Sequence, residues 1–165
     1  LLEVITVNYP AIRFYEKLGF RIHNKILYYS REEGAFSSSN WKVKPTDIET
    51  IAEIRKRSGV YLNWQNEVDY FRMDPSVRYF EVEDNGESIG ALAVGDAGNI
   101  YFLYVEEAYR YKGVATALLT AAGEKLSISF PDFCELEEFL KHVGFDKLPI
   151  EQYEMKMDIT EEPMD

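Results

Sequence analysis

The sequence is poor in residues that cross-link small proteins or hold metals. One cysteine, Cys134, stands among 165 residues. That excludes an intramolecular disulfide framework and points to a reducing, cytoplasmic compartment. The two histidines, His23 and His142, lie far apart with no cysteine at metal-binding spacing, so no metal centre is expected. No apolar run approaches the roughly 18 residues of a membrane-spanning helix, and residues 1–7, with no positively charged n-region, are not expected to be a secretory signal. Basic residues are also few: 18 Lys and Arg face 29 Asp and Glu, a net charge of −11. Residues 1–40 contribute 5 − 4 = +1 and residues 41–165 contribute 13 − 25 = −12. Neither a nucleic-acid nor a membrane partner is expected of so acidic a surface. Cationic partners such as amines or polyamines are mildly favoured.

Apolar material is plentiful. Hydrophobic residues make up 46% and aromatics 15%, enough for a packed core and too much for a disordered chain. The length predicts one compact domain, or a domain plus a fragment.

The first forty residues read as a separate piece. Residues 1–7 predict a strand with no polar lead-in. Asn8-Tyr9-Pro10 turns into a helix near Ala11–Lys17, closed by Gly19. Residues 22–29 predict another strand, and Ser30–Asn40, with Gly34 and three consecutive serines, a linker.

From Trp41 the pattern starts afresh. Trp41–Lys44 predicts a short strand. Thr46 and Glu49 form a capping box before Ile48, Ile51, Ala52 and Ile54 at helical spacing, with Gly59 at the end. A second helix is expected over Asn66–Arg72. Strands 77–83 and 87–94 flank the hairpin turn Asp84-Asn85-Gly86. Asn99–Val105 is a nearly all-apolar central strand. A helix from Gly113 to about Lys125, a strand at Ser127–Phe130, a helix at Cys134–Val143 and a strand at Glu151–Ile159 complete the order; 160–165 is a tail. The strand-helix-strand unit in the middle requires a parallel crossover. The fold class is therefore mixed α/β (α+β), with a mostly antiparallel sheet flanked by helices.

A repeat links the two parts. Ile12–Phe20 aligns on Glu137–Phe145: Phe14 falls on Phe139, Gly19 on Gly144 and Phe20 on Phe145, an offset of 125 residues. The expectation is a tandem arrangement: 1–30 as the C-terminal fragment of an upstream copy, 31–40 as linker, 41–159 as a complete domain. A strand-helix-strand fragment exposes Ile5, Ile12, Phe14 and Leu18. It should pack on the complete domain or on a second chain as a homodimer.

The clearest chemistry lies in Tyr101–Leu119. A buried strand runs into Arg110-Tyr-Lys-Gly-Val-Ala115, and a helix starts there. Gly113 permits a sharp turn, and the free N–H groups of the first helical turn face an anion. Arg110 and Lys112 add positive charge in an acidic domain.

This stretch resembles the GCN5-related N-acetyltransferase (GNAT) family. Arg110-x-x-Gly113-x-Ala115 is similar to its R/Q-x-x-G-x-G/A motif. Asn8-x-x-Ala11-x-x-Phe14-Tyr15-x-x-x-Gly19-Phe20 resembles its last helix and flanking strands. The resemblance implies an acyl-CoA N-acyltransferase-like fold in which two parallel strands, here 99–105 and 127–130, splay apart around acetyl-CoA. It also implies transfer of the acetyl group to a primary amine by direct attack, the acceptor being a small molecule or a peptide. By the same resemblance the pyrophosphate rests on Arg110, Tyr111, Lys112, Gly113, Val114 and Ala115. The amides near Tyr104 and Val105 hold the pantetheine arm.

Direct attack needs a free amine. At a pKa of about 10.4, deprotonation at pH 7 costs about 4.6 kcal/mol, so a base is required. Candidates are Glu81 and Glu83 on the hairpin, and Glu106 and Glu107 past the central strand. Family members often place a tyrosine acid on the last helix. Tyr15 matches it in the fragment, whereas Leu140 stands at that position in the complete domain; Tyr153 is the candidate substitute. That departure keeps a second reading open, a domain that binds CoA or a protein partner without catalysis, and a third, a structural module. Tyr61, Trp64, Tyr70 and Phe71 are candidates to line an acceptor site.

Overall fold

The structure, a computed structural model, describes residues 1–158. The Ile159 end of the expected last strand and the expected tail lie outside the described residues.

Each end of the N-terminal helix is set by local chemistry. β1 (Leu2–Ile5) leads through Asn8, whose side chain accepts from Ala11 N, into α1 (Tyr9–Lys17), and Gly19 at φ +94° turns the chain into β2 (Arg21–Arg31). A short β3 (Val43–Pro45) precedes α2 (Ile48–Ser58). The cap of α2 is Asp47, which accepts from both Thr50 N and Thr50 Oγ1 at 2.9 Å, rather than the expected Thr46. A carboxylate also complements the helix dipole better than a hydroxyl does. Gly59, in the left-handed region, ends α2 as expected. The second expected helix is shorter: a 3-10 turn at Trp64–Asn66, then α3 (Val68–Phe71).

β4 (Arg78–Asp84), β5 (Glu87–Val94) and β6 (Asn99–Val105) form a meander. Its first turn uses Asn85 and Gly86, both at positive φ, as the Asn-Gly pair dictates. α4 (Val114–Ala122), β7 (Leu126–Pro131), α5 (Glu137–His142) and β8 (Asp146–Lys156) follow. Cys134 thus precedes α5 instead of starting it. β8 begins five residues before the expected Glu151. Its register jumps between Lys147 and Glu151, which leaves Pro149 outside the ladder it cannot donate to.

Eight strands make one sheet among the described residues, ordered β1-β8-β2-β7-β6-β5-β4-β3. All neighbours are antiparallel except β6 and β7. The N-terminal piece does not sit on the domain as an appendage. β2 is wedged between β7 and β8, and β1 covers the far edge of β8.

The sheet is packed on both faces. Leu92, Ile100, Leu118, Leu140 and Phe145 fill one face with α4 and α5. Ile51, Ile54, Phe71 and Phe102 fill the other with α2 and α3. Each such side chain contributes about 1.5–3 kcal/mol by burial. A smaller cluster of Val4, Ile12 and Met155 joins α1 to the end strands.

Candidate active site

β6 and β7 stay paired for only two residues, Asn99 with Ser127 and Ile100 with Ile128. Immediately afterwards β6 carries a bulge. Ala93 pairs with Phe102 and Val94 with Ile100, so Tyr101 is the extra residue. A bulge bends its strand and adds twist. From Tyr101 to Val105 the β7-facing edge of β6 has no ladder partner among the described residues. Tyr104 and Val105 lie in this parted stretch.

The chain then turns through a 3-10 segment, Glu107–Tyr109, into the loop before α4. Tyr111 at φ +60° and Gly113 at φ +81° both adopt left-handed conformations. Left-handed residues in such a turn are one element of the concavities in which backbone N–H groups bind anions. This turn adjoins the first turn of α4, whose N–H groups have no helical acceptor. Arg110 Nε donates to Val105 O at 3.2 Å, tying the end of β6 to the loop. Lys112 Nζ stands 5.5 Å from the Tyr109 ring centroid. The Tyr111 side chain is fully exposed. Close approach of α4 to the sheet depends on Gly90, where a Cβ would lie 2.7 Å from Val114 Cγ1.

Sequence reasoning missed a strap over this loop. The segment after β2 crosses the start of α4. Ser39 Oγ donates to Gly113 O at 3.0 Å, and Trp41 Nε1 donates to Lys112 O at 2.7 Å. Trp41 also meets the Tyr109 ring edge-on at 5.9 Å. These donors take two loop carbonyls, while the Arg110 N–H donates to Glu107 O at 3.2 Å. The only sequence signal was a tryptophan beside a serine-rich stretch.

The five candidate catalytic groups are dispersed, with only Glu106 and Glu107, the latter in the 3-10 segment, sharing one cleft. Glu106 ends β6, where Arg57 pairs with it at 2.9 Å and the Tyr104 hydroxyl donates to it at 3.1 Å. Burial, then the bond to Glu106, pushes the Tyr104 phenol up. With Arg57, Ser88 and Tyr109, Glu106 lines an open cleft of about 610 Å³. Glu81 and Glu83 lie on β4, with β5 between them and β6. Both pair with Lys44, at 3.5 and 2.6 Å. Tyr153 lies on β8, with β2 between it and β7, packed in the α1 cluster. Leu140, on α5, is fully buried and offers no hydroxyl. Burial pushes the Cys134 thiol up, helped by Asp132, so it is not an activated nucleophile.

Of the aromatic candidates, Phe71 is buried against Tyr101, and Trp64 and Tyr70 meet edge-on at the surface. Tyr61 reaches across to β8 and donates to Glu154. Among the described residues no group of three or more His, Cys, Asp or Glu could hold a metal, and no helix is long and apolar enough to cross a membrane.

A mixed sheet with one parallel pair that parts beside a helix N-terminus defines the acyl-CoA N-acyltransferase fold of the GNAT proteins. Residues 75–147 match the acetyltransferase (GNAT) domain family. Solved structures agree on the fold. A conserved Staphylococcus epidermidis protein of unknown function superposes with a TM-score of 0.67 at 10% identity, over 96% of this chain and 71% of its own. A GCN5-related N-acetyltransferase from Kribbella flavida gives 0.62 at 11%, over 93% and 66%. One from Sphaerobacter thermophilus gives 0.59 at 16%, over 92% and 56%. No curated protein matches the chain in sequence.

Proposed function

We propose that this chain is a GNAT acetyltransferase that transfers the acetyl group of acetyl-CoA to a primary amine. The observation that carries the reading is the parting of β6 from β7 after two residue pairs, beside the Tyr111–Gly113 cradle at the start of α4. Acetyl-CoA supplies the acyl thioester. The N–H groups of Tyr111–Ala115 receive its pyrophosphate, the Arg110 N–H being held by Glu107 O at 3.2 Å, with the Arg110 and Lys112 side chains adding charge. The Val105 N–H on the unpaired edge of β6 meets the pantetheine arm or the oxyanion, whereas the Tyr104 backbone groups face β5.

Of the candidate bases, Glu106 stands at the end of β6 with Tyr104 beside it. Glu81 and Glu83 lie on β4, across β5 from β6, and Tyr153 sits across β2, so the choice rests on position, since Glu106 has a cationic partner of its own in Arg57. We assign Glu106, acting directly or through one water, to take the ammonium proton. No tyrosine acid is needed, because a thiol of pKa about 8.5 leaves readily.

The test is release of free CoA thiol from acetyl-CoA in the presence of small alkylamines, for the wild type and Glu106→Gln. Turnover that falls at least tenfold in the variant supports both assignments. Acetyl-CoA binding without turnover for any amine would replace the enzyme reading with the non-catalytic one.

A further inference from the structure

Glu3 on β1 and Glu154 on β8 are register partners in adjacent antiparallel strands. Their side chains therefore leave the same face of the sheet, close together. Glu154 is fully buried. Its Oε2 accepts from Asn24 Nδ2 at 2.8 Å and from the Tyr61 hydroxyl. Glu3 Oε1 accepts from Asn63 Nδ2 at 3.1 Å. One oxygen of each carboxyl, Glu3 Oε2 and Glu154 Oε1, is buried with no hydrogen-bond partner among the described residues.

Among the described residues no Lys or Arg pairs with either carboxylate, although other acids here have cations: Glu81 has Lys44, Glu106 has Arg57 and Glu67 has Arg55. Two adjacent carboxyls with no cation, Glu154 fully buried and Glu3 half-buried, are costly, and burial drives such groups to acquire a counter-charge.

The pair connects to the parted strands. Asn66 Nδ2 donates to Asn63 Oδ1 and to Ser129 O on β7, both at 2.9 Å. Ser129 follows Ile128, the last β7 residue paired to β6. A continuous run of hydrogen bonds thus joins the opening between β6 and β7 to Glu3. Above Glu154 stands Tyr61, in the irregular segment between α2 and the 3-10 turn. Its ring lies 5.6 Å from that of Phe133 and 6.3 Å from that of His23.

We propose that Glu3 and Glu154 form a binding site for the primary ammonium group of the acceptor, which displaces Tyr61 from over Glu154 as it enters. The word acceptor rests on the acetyltransferase reading; the cation site does not. An ammonium has three N–H donors and one charge, which suit the two partnerless oxygens and the Tyr61 hydroxyl oxygen. The aromatic rim adds attraction for a cation. A divalent metal wants six or more oxygens and finds two carboxylates.

The experiment is calorimetric titration of n-propylammonium chloride into the full chain without acetyl-CoA, at neutral pH. Tetramethylammonium and potassium chlorides serve as comparisons. Saturable binding of propylammonium is expected, with at least tenfold weaker binding of both comparison cations. Glu154→Gln and Glu3→Gln should each weaken it at least tenfold while remaining folded. Equal binding of potassium, or binding unchanged in both variants, would overturn the proposal. So would absence of binding by the wild type, which is the result if the two oxygens instead share a proton. Amine binding without acetyl transfer would refute the acetyltransferase reading and leave the cation site standing.

Discussion

Trp41 donates its indole N–H to the carbonyl of Lys112 at 2.7 Å. The segment joining the N-terminal unit to the rest of the sheet is thereby fastened to the loop that would receive phosphate. Trp41→Phe keeps the ring against Tyr109 and removes this one bond. A net loss of about 0.5–1.5 kcal/mol is expected, read by denaturant unfolding, with acetyl-CoA affinity falling several-fold.

Gly113 sits at φ +81°, and a Cβ there would lie 3.2 Å from Ser39 Oγ. Gly113→Asp adds backbone strain of about 1–3 kcal/mol and a negative charge in the cradle. Acetyl-CoA affinity, measured by calorimetry, should fall more than tenfold. Unchanged affinity would remove the loop from the account.

Gly90→Ala tests the seating of α4. Its Cβ would meet Val114 Cγ1 at 2.7 Å and Tyr104 O at 3.2 Å, and neither neighbour is the end of a long flexible chain. A loss of about 1–3 kcal/mol is expected, together with weaker acetyl-CoA binding, because the helix start moves with Val114.

Leu140→Tyr places the family's usual hydroxyl at a site with no exposure. The larger ring must displace its neighbours, and its hydroxyl needs a partner. A loss of about 1–3 kcal/mol with no gain in turnover is expected. Faster turnover would instead identify the missing acid as the limiting part.

Glu3 carries a pH signature. Burial, opposed by the Asn63 bond and helped by the neighbouring Glu154, holds its carboxyl above the ordinary 4.5. A raised folded-state pKa means that its stabilising contribution is present below 4.5 and is lost as pH rises through the folded value. Glu3→Gln should therefore be more stable than the wild type at pH 7. The difference should vanish toward pH 4, as followed by thermal unfolding across that range.

How much was legible from the sequence depended on distance along the chain. The Asn85-Gly86 turn, the Gly59 helix end, the buried β6 and the loop at Arg110–Ala115 are local signals, and residue type alone specifies them. The cap of α2 fell one residue from its expected position because Asp47 and Thr46 are both competent caps and geometry chose between them. The insertion of β2 between β7 and β8 was not legible, since strand pairing between chain ends leaves no local pattern. The same reason hid the Glu3–Glu154 pair: one carboxylate comes from each end of the chain, and neither is unusual alone. Of the candidate bases, sequence could place Glu106 beside the central strand. It could not see that Lys44 occupies both Glu81 and Glu83.

The central claim is that the parted strands and the loop before α4 bind acetyl-CoA. Thermal unfolding of the full chain with and without acetyl-CoA tests it most directly. At about 100 times its dissociation constant, a ligand specific to the folded state adds about 2.7 kcal/mol, a rise of several degrees in Tm for a chain of this size. The account predicts that rise for the wild type and its loss in Gly113→Asp. An unchanged Tm at millimolar acetyl-CoA would contradict it.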